Sequence, residues 1–298
     1  MNIEEKISNI DGAEYESNKD LTKFSTMRLK CRGDLITVRS VDALRSTLVA
    51  LTRNSIKYRV LGMGANQLLS ETSDIPYIKL ALPFDKSYLQ EVRDLYILPA
   101  SVTLSVLSSH AVKNGLRGWE SFTGIPATLG GAVFMNAGTN LGEIGPLIKR
   151  VFLIDKNGEE RIVTMDEGSF SYRKQNFLND GDFIYQIEMK HFGVDESVSK
   201  QIKEYLELRN RTQPLKEWTC GCVFKNNKNK RTCLAGKFID IMGLKGLTYN
   251  GMRISPKHAN FMENTDSSSH KDVVALINII KDELLLQYGV EFETEVKL

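Results

Sequence analysis

The order of apolar and polar positions divides the chain into short strands and helices that alternate over its first two thirds. Residues 1 to 20 read as a short amphipathic helix with a loose polar tail. Asp34 to Ser40 predicts a first strand, and Leu44, Leu48 and Leu51 recur at helical spacing in the VDALRSTLVALTRN that follows. Tyr58 to Gly62 predicts a strand running into a glycine turn. Further strands are expected around Ile78 to Leu82 and Leu95 to Pro99, and a helix from about Thr103 to Lys113.

Beyond Lys149 the pattern turns to period two. RVFLIDKNGEERIVTM predicts a hairpin, with Asn157-Gly158 between alternating arms, and DFIYQIEMKHF adds a strand that, with the second arm, should complete a sheet. Asp195 to Arg211 reads as a charged helix with Ile202, Tyr205 and Leu206 on its buried face, connecting two domains. CGCVFKN then reads as a strand, AGKFIDIMG as a helix, MRISPKHANFMEN as paired strands and Ser268 to Tyr288 as a long helix. In the closing VEFETEVKL, a strand would put Glu291, Glu293 and Glu295 on one face and Val290, Phe292, Thr294 and Val296 on the other.

One stretch breaks both periodicities. Gly118 to Gly142, GWESFTGIPATLGGAVFMNAGTNLG, holds six glycines and has no acidic residue between Glu120 and Glu143. Such backbone can lie against a flat or anionic group, because glycine allows close approach and leaves N–H groups unshielded; the alternative is a packing turn between helix and strand. Gly62-Met63-Gly64-Ala65-Asn66 is a second glycine turn at a strand end, but it lacks the third glycine and the following helix of a dinucleotide fingerprint.

Composition narrows the function. With 298 residues the chain holds two or three compact units, and 42% apolar residues suffice for a true core. A formal charge of +2 without a clustered basic excess excludes a general nucleic-acid binder. The absence of a long apolar run and the polar, acidic N-terminus lead us to expect a cytoplasmic protein with no membrane partner. Cys31, Cys220, Cys222 and Cys233 do not form a disulfide framework, and the C-x-C pair with one distant cysteine lacks the spacing of a zinc site, so no metal is expected.

Three features carry candidate chemistry. The two glycine segments could grip a dinucleotide through backbone amides. Arg173 beside Tyr172 could bind a carboxylate in bidentate fashion, or could simply follow a core tyrosine at the surface. Cys222 could donate a proton or be a structural thiol, and Glu295 could act with it or be a solvated edge carboxylate.

Taken in order, GMGANQLL, GIPATLGGAVFMNAGTNLGEI, SYRKQNF, RTQP before GCVFKN, AGKFIDIMGLKG, SPKHANFMEN and FETEV resemble the UDP-N-acetylenolpyruvoylglucosamine reductases, the flavoenzymes known as MurB. The resemblance runs from about Leu21 to the last residue. The short passage after Tyr172-Arg173 is similar to the family's shorter type, which lacks an inserted loop there. It implies an α+β fold: a polar segment over residues 1–20, a flavin-binding domain of the vanillyl-alcohol-oxidase (PCMH) type with two α/β subdomains over 21–194, and a C-terminal α/β substrate domain over 195–298.

The resemblance implies FAD as cofactor, NADPH as reductant and a nucleotide sugar as substrate, in a monomer. FAD would contact Gly62, Gly64, Ala65, Asn66, Gln67, Gly124, Ile125, Pro126, Gly130, Gly131, Asn136, Ala137 and Gly138. Arg173, Cys222 and Glu295 match the catalytic positions, Cys222 standing where most members have serine. Tyr172, Arg211, Lys225 and Asn226 match the nucleotide-sugar side. Departures include Ala65 for the usual serine and NNKNKRT where a proline follows Lys225-Asn226 in the family. A flavin oxidase of the same fold and a non-catalytic nucleotide-sugar-binding paralogue are the alternatives.

Overall fold

The computed structural model describes residues 3–226 and 234–298; Cys233 and the NKNKRT sequence after Asn226 lie outside them. The chain forms two compact units interleaved in sequence, one of Met1–Asn18, Asp34–Gly62 and Asp74–Leu206, the other of Lys19–Gly33, Met63–Ser73 and Glu207–Leu298.

The first unit contains a four-stranded antiparallel sheet in the spatial order Leu95–Pro99, Phe183–Lys190, Ile148–Ile154, Glu160–Thr164. The predicted hairpin forms, with Gly158 at φ +86° in its turn, where a side chain would be strained. Phe183–Lys190 pairs with the hairpin's first arm, and the second arm is the sheet edge. The burial of Phe183–Lys190 is nearly continuous, as a central strand covered on both faces requires. The helix Leu104–Asn114 and the glycine stretch pack on this sheet around Trp119, Phe122, Leu129, Tyr96, Ile187 and Met189.

A second sheet runs in the order Ala13–Asp20, Arg32–Val38, Thr72–Leu80, Arg59–Val60. The helix Val41–Arg53 buries Leu44, Leu48 and Leu51 beside Ile36, Val38 and Ile78. The expected polar tail is in fact the strand Ala13–Asp20 after a helix at Ile3–Ser8. It lacks apolar alternation because it is an edge strand fixed by polar contacts: Tyr15 donates to the Asp34 carboxylate, and so does the Asn18 N–H at 2.9 Å. The connecting helix is Ser197–Thr212, and Val198 joins Ile202 and Tyr205 on its buried face; Leu206, expected there, is exposed.

In the second unit, the helix His270–Tyr288 packs Val273, Leu276, Ile277, Ile280 and Leu284 into a core with Ala235, Ile239, Met252 and Phe292. A capping box of Ser269 and Asp272 starts it, and Gly289 at φ +61° ends it. Met252–Ile254 and Met262–Asn264 pair antiparallel, with Thr248–Tyr249 at the edge. The two remaining predicted strands do not form as continuous strands: the 220–226 and 290–298 segments are joined by single bridges, Cys222 to Phe261, Phe224 to Thr294 and Gln67 to Lys297. The alternation holds in part: Phe292 and Val296 are buried and Glu291 and Glu293 exposed, whereas Val290, Thr294 and Glu295 are all half-buried.

Among the described residues no helix is long and apolar enough to cross a membrane, and no group of three or more His, Cys, Asp or Glu could hold a metal.

Candidate active site

In the first unit the glycine stretch divides into positions that serve packing and positions that leave backbone open. Gly130 donates its N–H to Ala100 O at 2.8 Å, and an added Cβ would lie 2.8 Å from the Ala100 Cβ. Gly138 pairs with Glu143, and a Cβ there would lie 2.4 Å from Gly142 O. Both need glycine for chain against chain. Gly62 and Gly131 differ: an added Cβ would meet only the Thr128 hydroxyl, at 3.2 Å and 3.3 Å, and otherwise open space. Thr128 caps the short helix Leu129–Phe134, accepting the Gly131 N–H at 3.3 Å. Two bare stretches of main chain from different elements therefore border one hydroxyl. Gly124, at φ +74°, turns the chain into Ile125-Pro126, two residues before Thr128.

The Asn136 side chain is committed inside the protein. Its Nδ2 donates to Glu143 Oε2 at 2.8 Å and Ser171 O at 3.0 Å, and its Oδ1 accepts the Gly145 N–H at 3.0 Å. It is buried at φ +43°, a conformation asparagine tolerates better than most residues. Ala137 donates to Ala132 O and accepts from Ile144, both at 2.8 Å. These residues shape the stretch and tie it to the next element.

That element carries the arginine. Phe170–Ser171 and Lys174–Gln175 form a tight hairpin whose two turn residues are Tyr172 and Arg173. Arg173 sits at φ +57°, unfavourable for a residue with a Cβ. Its Nη2 donates to Gly138 O at 3.1 Å, and its guanidinium carbon lies 5.1 Å from the Tyr172 ring centroid. Strained backbone held by side-chain contacts is common where a charge must be presented in one direction.

In the second unit, Cys222 to Lys225 is flanked on both sides. Val223 donates its N–H to Asn260 O at 2.8 Å and accepts the Glu295 N–H at 2.7 Å, while Lys225 donates to Glu293 O at 2.9 Å. Cys222 and Glu295 thus lie on neighbouring segments. Cys222 is partly exposed, whereas the Cys220 thiol is pushed up to about 12, by burial first and by Cys222 and Glu295 as smaller contributors. Asn66 Nδ2 donates to Glu295 O at 3.1 Å, and Lys297 donates its N–H to Asn66 O at 3.0 Å. Gln67 bridges to Lys297, so the second glycine turn holds the closing segment.

Gly64, at φ +60°, packs so tightly that a Cβ would lie 2.3 Å from Phe24 O. Lys225 Nζ binds Glu293 Oε2 at 2.9 Å, which keeps the Glu293 carboxyl below its usual range. Asn226 Oδ1 accepts the Ala235 N–H at 3.1 Å, at the start of the helix Ala235–Ile241. Arg211 is exposed in the last turn of Ser197–Thr212.

An FAD binding domain model matches residues 35–164, and a model of the UDP-N-acetylenolpyruvoylglucosamine reductase C-terminal domain matches residues 213–298. The chain is 31% identical to the UDP-N-acetylenolpyruvoylglucosamine reductase of Halalkalibacterium halodurans over 296 residues, covering 99% of this chain and 97% of that protein. The chain belongs to the UDP-N-acetylenolpyruvoylglucosamine reductase family. The reductase of Alkaliphilus oremlandii is 33% identical over 261 residues, with 87% of this chain and 84% of that protein covered. The crystal structure of the Thermus caldophilus MurB superposes with a TM-score of 0.79 at 30% identity, covering 96% of this chain and 98% of that one. As a reductase of this family the chain combines an FAD-binding domain with the MurB C-terminal domain, in an α+β fold.

The first unit fits a flavin dinucleotide on its own geometry. The open main chain at Gly62 and Gly131 around the Thr128 hydroxyl is a cradle that a Cβ would fill, in a stretch free of acidic side chains. Thr128 was not among the expected site residues, although Thr-Leu-Gly-Gly after a proline carries a readable helix-cap signal. Asn260 was missed as well, and its contacts depend on long-range pairing that no local pattern reports.

Proposed function

We propose that this protein reduces the enolpyruvyl ether of UDP-N-acetylglucosamine enolpyruvate to UDP-N-acetylmuramate, a step in peptidoglycan precursor synthesis, as a cytoplasmic monomer using NADPH. Gly62, Gly124, Ile125, Pro126, Thr128 and Gly131 would hold FAD in the first unit. When bound and reduced by NADPH, FAD supplies a hydride from N5 to the enolpyruvyl C3.

The remaining work belongs to side chains. Hydride addition at C3 builds negative charge at C2, next to the substrate carboxylate. Arg173 is assigned to that carboxylate, because a guanidinium fixed by Gly138 O and stacked near Tyr172 stabilises developing charge without reorganising. Cys222 is assigned as the acid that protonates C2; a neutral thiol gives up its proton far more readily than a serine hydroxyl. Glu295, one segment away, is assigned to orienting the reacting group. Lys225, steadied by Glu293, together with Asn226, Tyr172 and Arg211, is assigned to the nucleotide sugar.

The observation that carries this reading is the hydrogen bond from Glu295 N–H to Val223 O at 2.7 Å, which places a carboxylate segment beside the cysteine segment in a chain of this family. Anaerobic half-reactions test it. NADPH should bleach the flavin band, and UDP-N-acetylglucosamine enolpyruvate should restore it. In Cys222→Ala, bleaching should stay near wild type while restoration slows by about two to four orders of magnitude, the usual contribution of a general acid. Equal slowing of both steps, or a Cys222→Ser variant that folds but is inactive, would remove Cys222 from this role.

A further inference from the structure

The Asn260 side chain does something unusual for an interior amide: it pairs with both main-chain groups of one residue on the neighbouring segment. Oδ1 accepts the Phe224 N–H at 2.9 Å, and Nδ2 donates to Phe224 O at 2.9 Å. Asn260 is 3% exposed and Phe224 1%, so water cannot replace either bond. Asn260 also accepts the Val223 N–H through its own carbonyl, and the next residue, Phe261, bridges to Cys222.

On the far side, Phe224 faces Thr294, and the bonds to the closing segment come from its neighbours: Lys225 N–H to Glu293 O and Glu295 N–H to Val223 O. Phe224's own peptide groups therefore point away from the closing segment and toward Asn260. The carboxamide stands in for one residue of a β-ladder.

Upstream of Cys222, one glycine separates it from Cys220, which is buried in the core. Gly221 is at φ +82° with nothing within 4 Å of where a Cβ would sit, and its N–H donates to Thr219 Oγ1, two residues back, at 3.3 Å. Cys222 thus lies between this glycine and Val223, and two residues before Phe224, whose two main-chain groups Asn260 clamps. We propose that Asn260 is a positioning residue for Cys222, fixing the thiol's segment through Phe224. The inference rests on the reading of Cys222 as the proton donor, although the clamp itself does not.

Four variants and two kinds of measurement test it. In Asn260→Ala, flavin bleaching by NADPH should be unchanged and flavin restoration by the enolpyruvyl sugar nucleotide should slow by about ten- to hundredfold, the effect of a misplaced reacting group. Asn260→Asp should lose rate at neutral pH and regain it as pH falls, because only the protonated acid both donates to Phe224 O and accepts from its N–H. In Cys222→Ala, adding Asn260→Ala should cost no more than about twofold further, since the two changes act through one group.

Independently of turnover, the rate at which iodoacetamide modifies Cys222, followed by peptide mass mapping, should change in Asn260→Ala. Equal loss in both half-reactions, full additivity with Cys222→Ala, or an unchanged Cys222 alkylation rate would overturn the proposal. Should Asn260→Ala fail to fold, Asn260→Asp without recovery at low pH would overturn it. If Cys222→Ala restores its flavin at the normal rate, the proton-donor reading falls, and the alkylation rate still decides whether Asn260 holds the segment.

Discussion

Arg173 Nη2 donates to Gly138 O at 3.1 Å, and Gly138 is a position where no Cβ fits, because one would lie 2.4 Å from Gly142 O. The arginine is thereby referenced to the glycine stretch rather than to its own hairpin. Asn136 reinforces the link by donating from Nδ2 to Ser171 O at 3.0 Å, one residue before the turn.

Arg173→Ala should therefore keep FAD bound and leave flavin reduction by NADPH intact, while slowing the sugar half-reaction by about two to three orders of magnitude, as loss of one charge-stabilising donor does. Arg173→Lys should recover little of it, since an ammonium cannot both bond Gly138 O and offer a planar fork to a carboxylate. Visible spectra of the purified variants and stopped-flow half-reactions check both. A colourless, unstable Arg173→Ala protein would mark the residue as structural.

Glycines that look alike in sequence should separate on mutation. Gly64→Ala meets main chain, 2.3 Å from Phe24 O, at φ +60°. It should cost more than the roughly 1–2 kcal/mol of a left-handed alanine and lower Tm sharply. Gly131→Ala meets only the Thr128 hydroxyl at 3.3 Å, so Tm of the apoprotein should barely move while FAD affinity falls. Differential scanning fluorimetry with and without FAD distinguishes them. A Gly131→Ala protein that binds FAD normally would exclude this glycine from the cofactor wall.

The main helices and the hairpin were legible because each carries its own periodicity: Leu44, Leu48 and Leu51 name a helix, and Asn157-Gly158 names a turn. The strand Ala13–Asp20 was not, since its sequence shows no apolar alternation and its polar contacts run to Asp34, distant in sequence. The glycine stretch was recognisable as unusual, but its division into packing positions such as Gly130 and open positions such as Gly131 depends on Ala100 and Thr128, and only folding reveals those neighbours. Asn66 shows the same limit: its motif suggested a cofactor contact, and its side chain binds Glu295 O, 229 positions away in the chain.

Asn66 accordingly yields an ordering. Asn66→Ala removes one donor to the Glu295 carbonyl and should cost about 1 kcal/mol. Asn66→Asp puts a carboxylate against that carbonyl and should cost more. Chemical denaturation should rank wild type above Ala and Ala above Asp; Asp equal to wild type would mean that the Glu295 contact contributes nothing to stability.

Buried titratable groups should confine stability to a window around neutral pH. Burial lowers the affinity of His110 and His258 for a proton. His110 is fixed by Tyr96 at 2.9 Å, and His258 Nδ1 accepts the Asn260 N–H at 3.2 Å, a bond that a proton on Nδ1 would abolish. For groups lowered in the folded state, stability is complete above the unfolded value of 6.5 and is lost as pH falls below it. At the other end, burial pushes the thiol of Cys31 up to about 11 and that of Cys220 up to about 12, and raises Tyr58 to about 12. For groups raised in the folded state, stability is complete below the unfolded value, 9.0 for a thiol, and declines as pH climbs toward the folded one. Tm should therefore be flat from about pH 7 to 9 and fall on both sides. His258→Gln should soften the acid arm because its side chain cannot take up a proton, and Cys220→Ala should soften the alkaline arm. A Tm that keeps rising from pH 6.5 down to 5 would contradict the burial of both histidines as neutral rings.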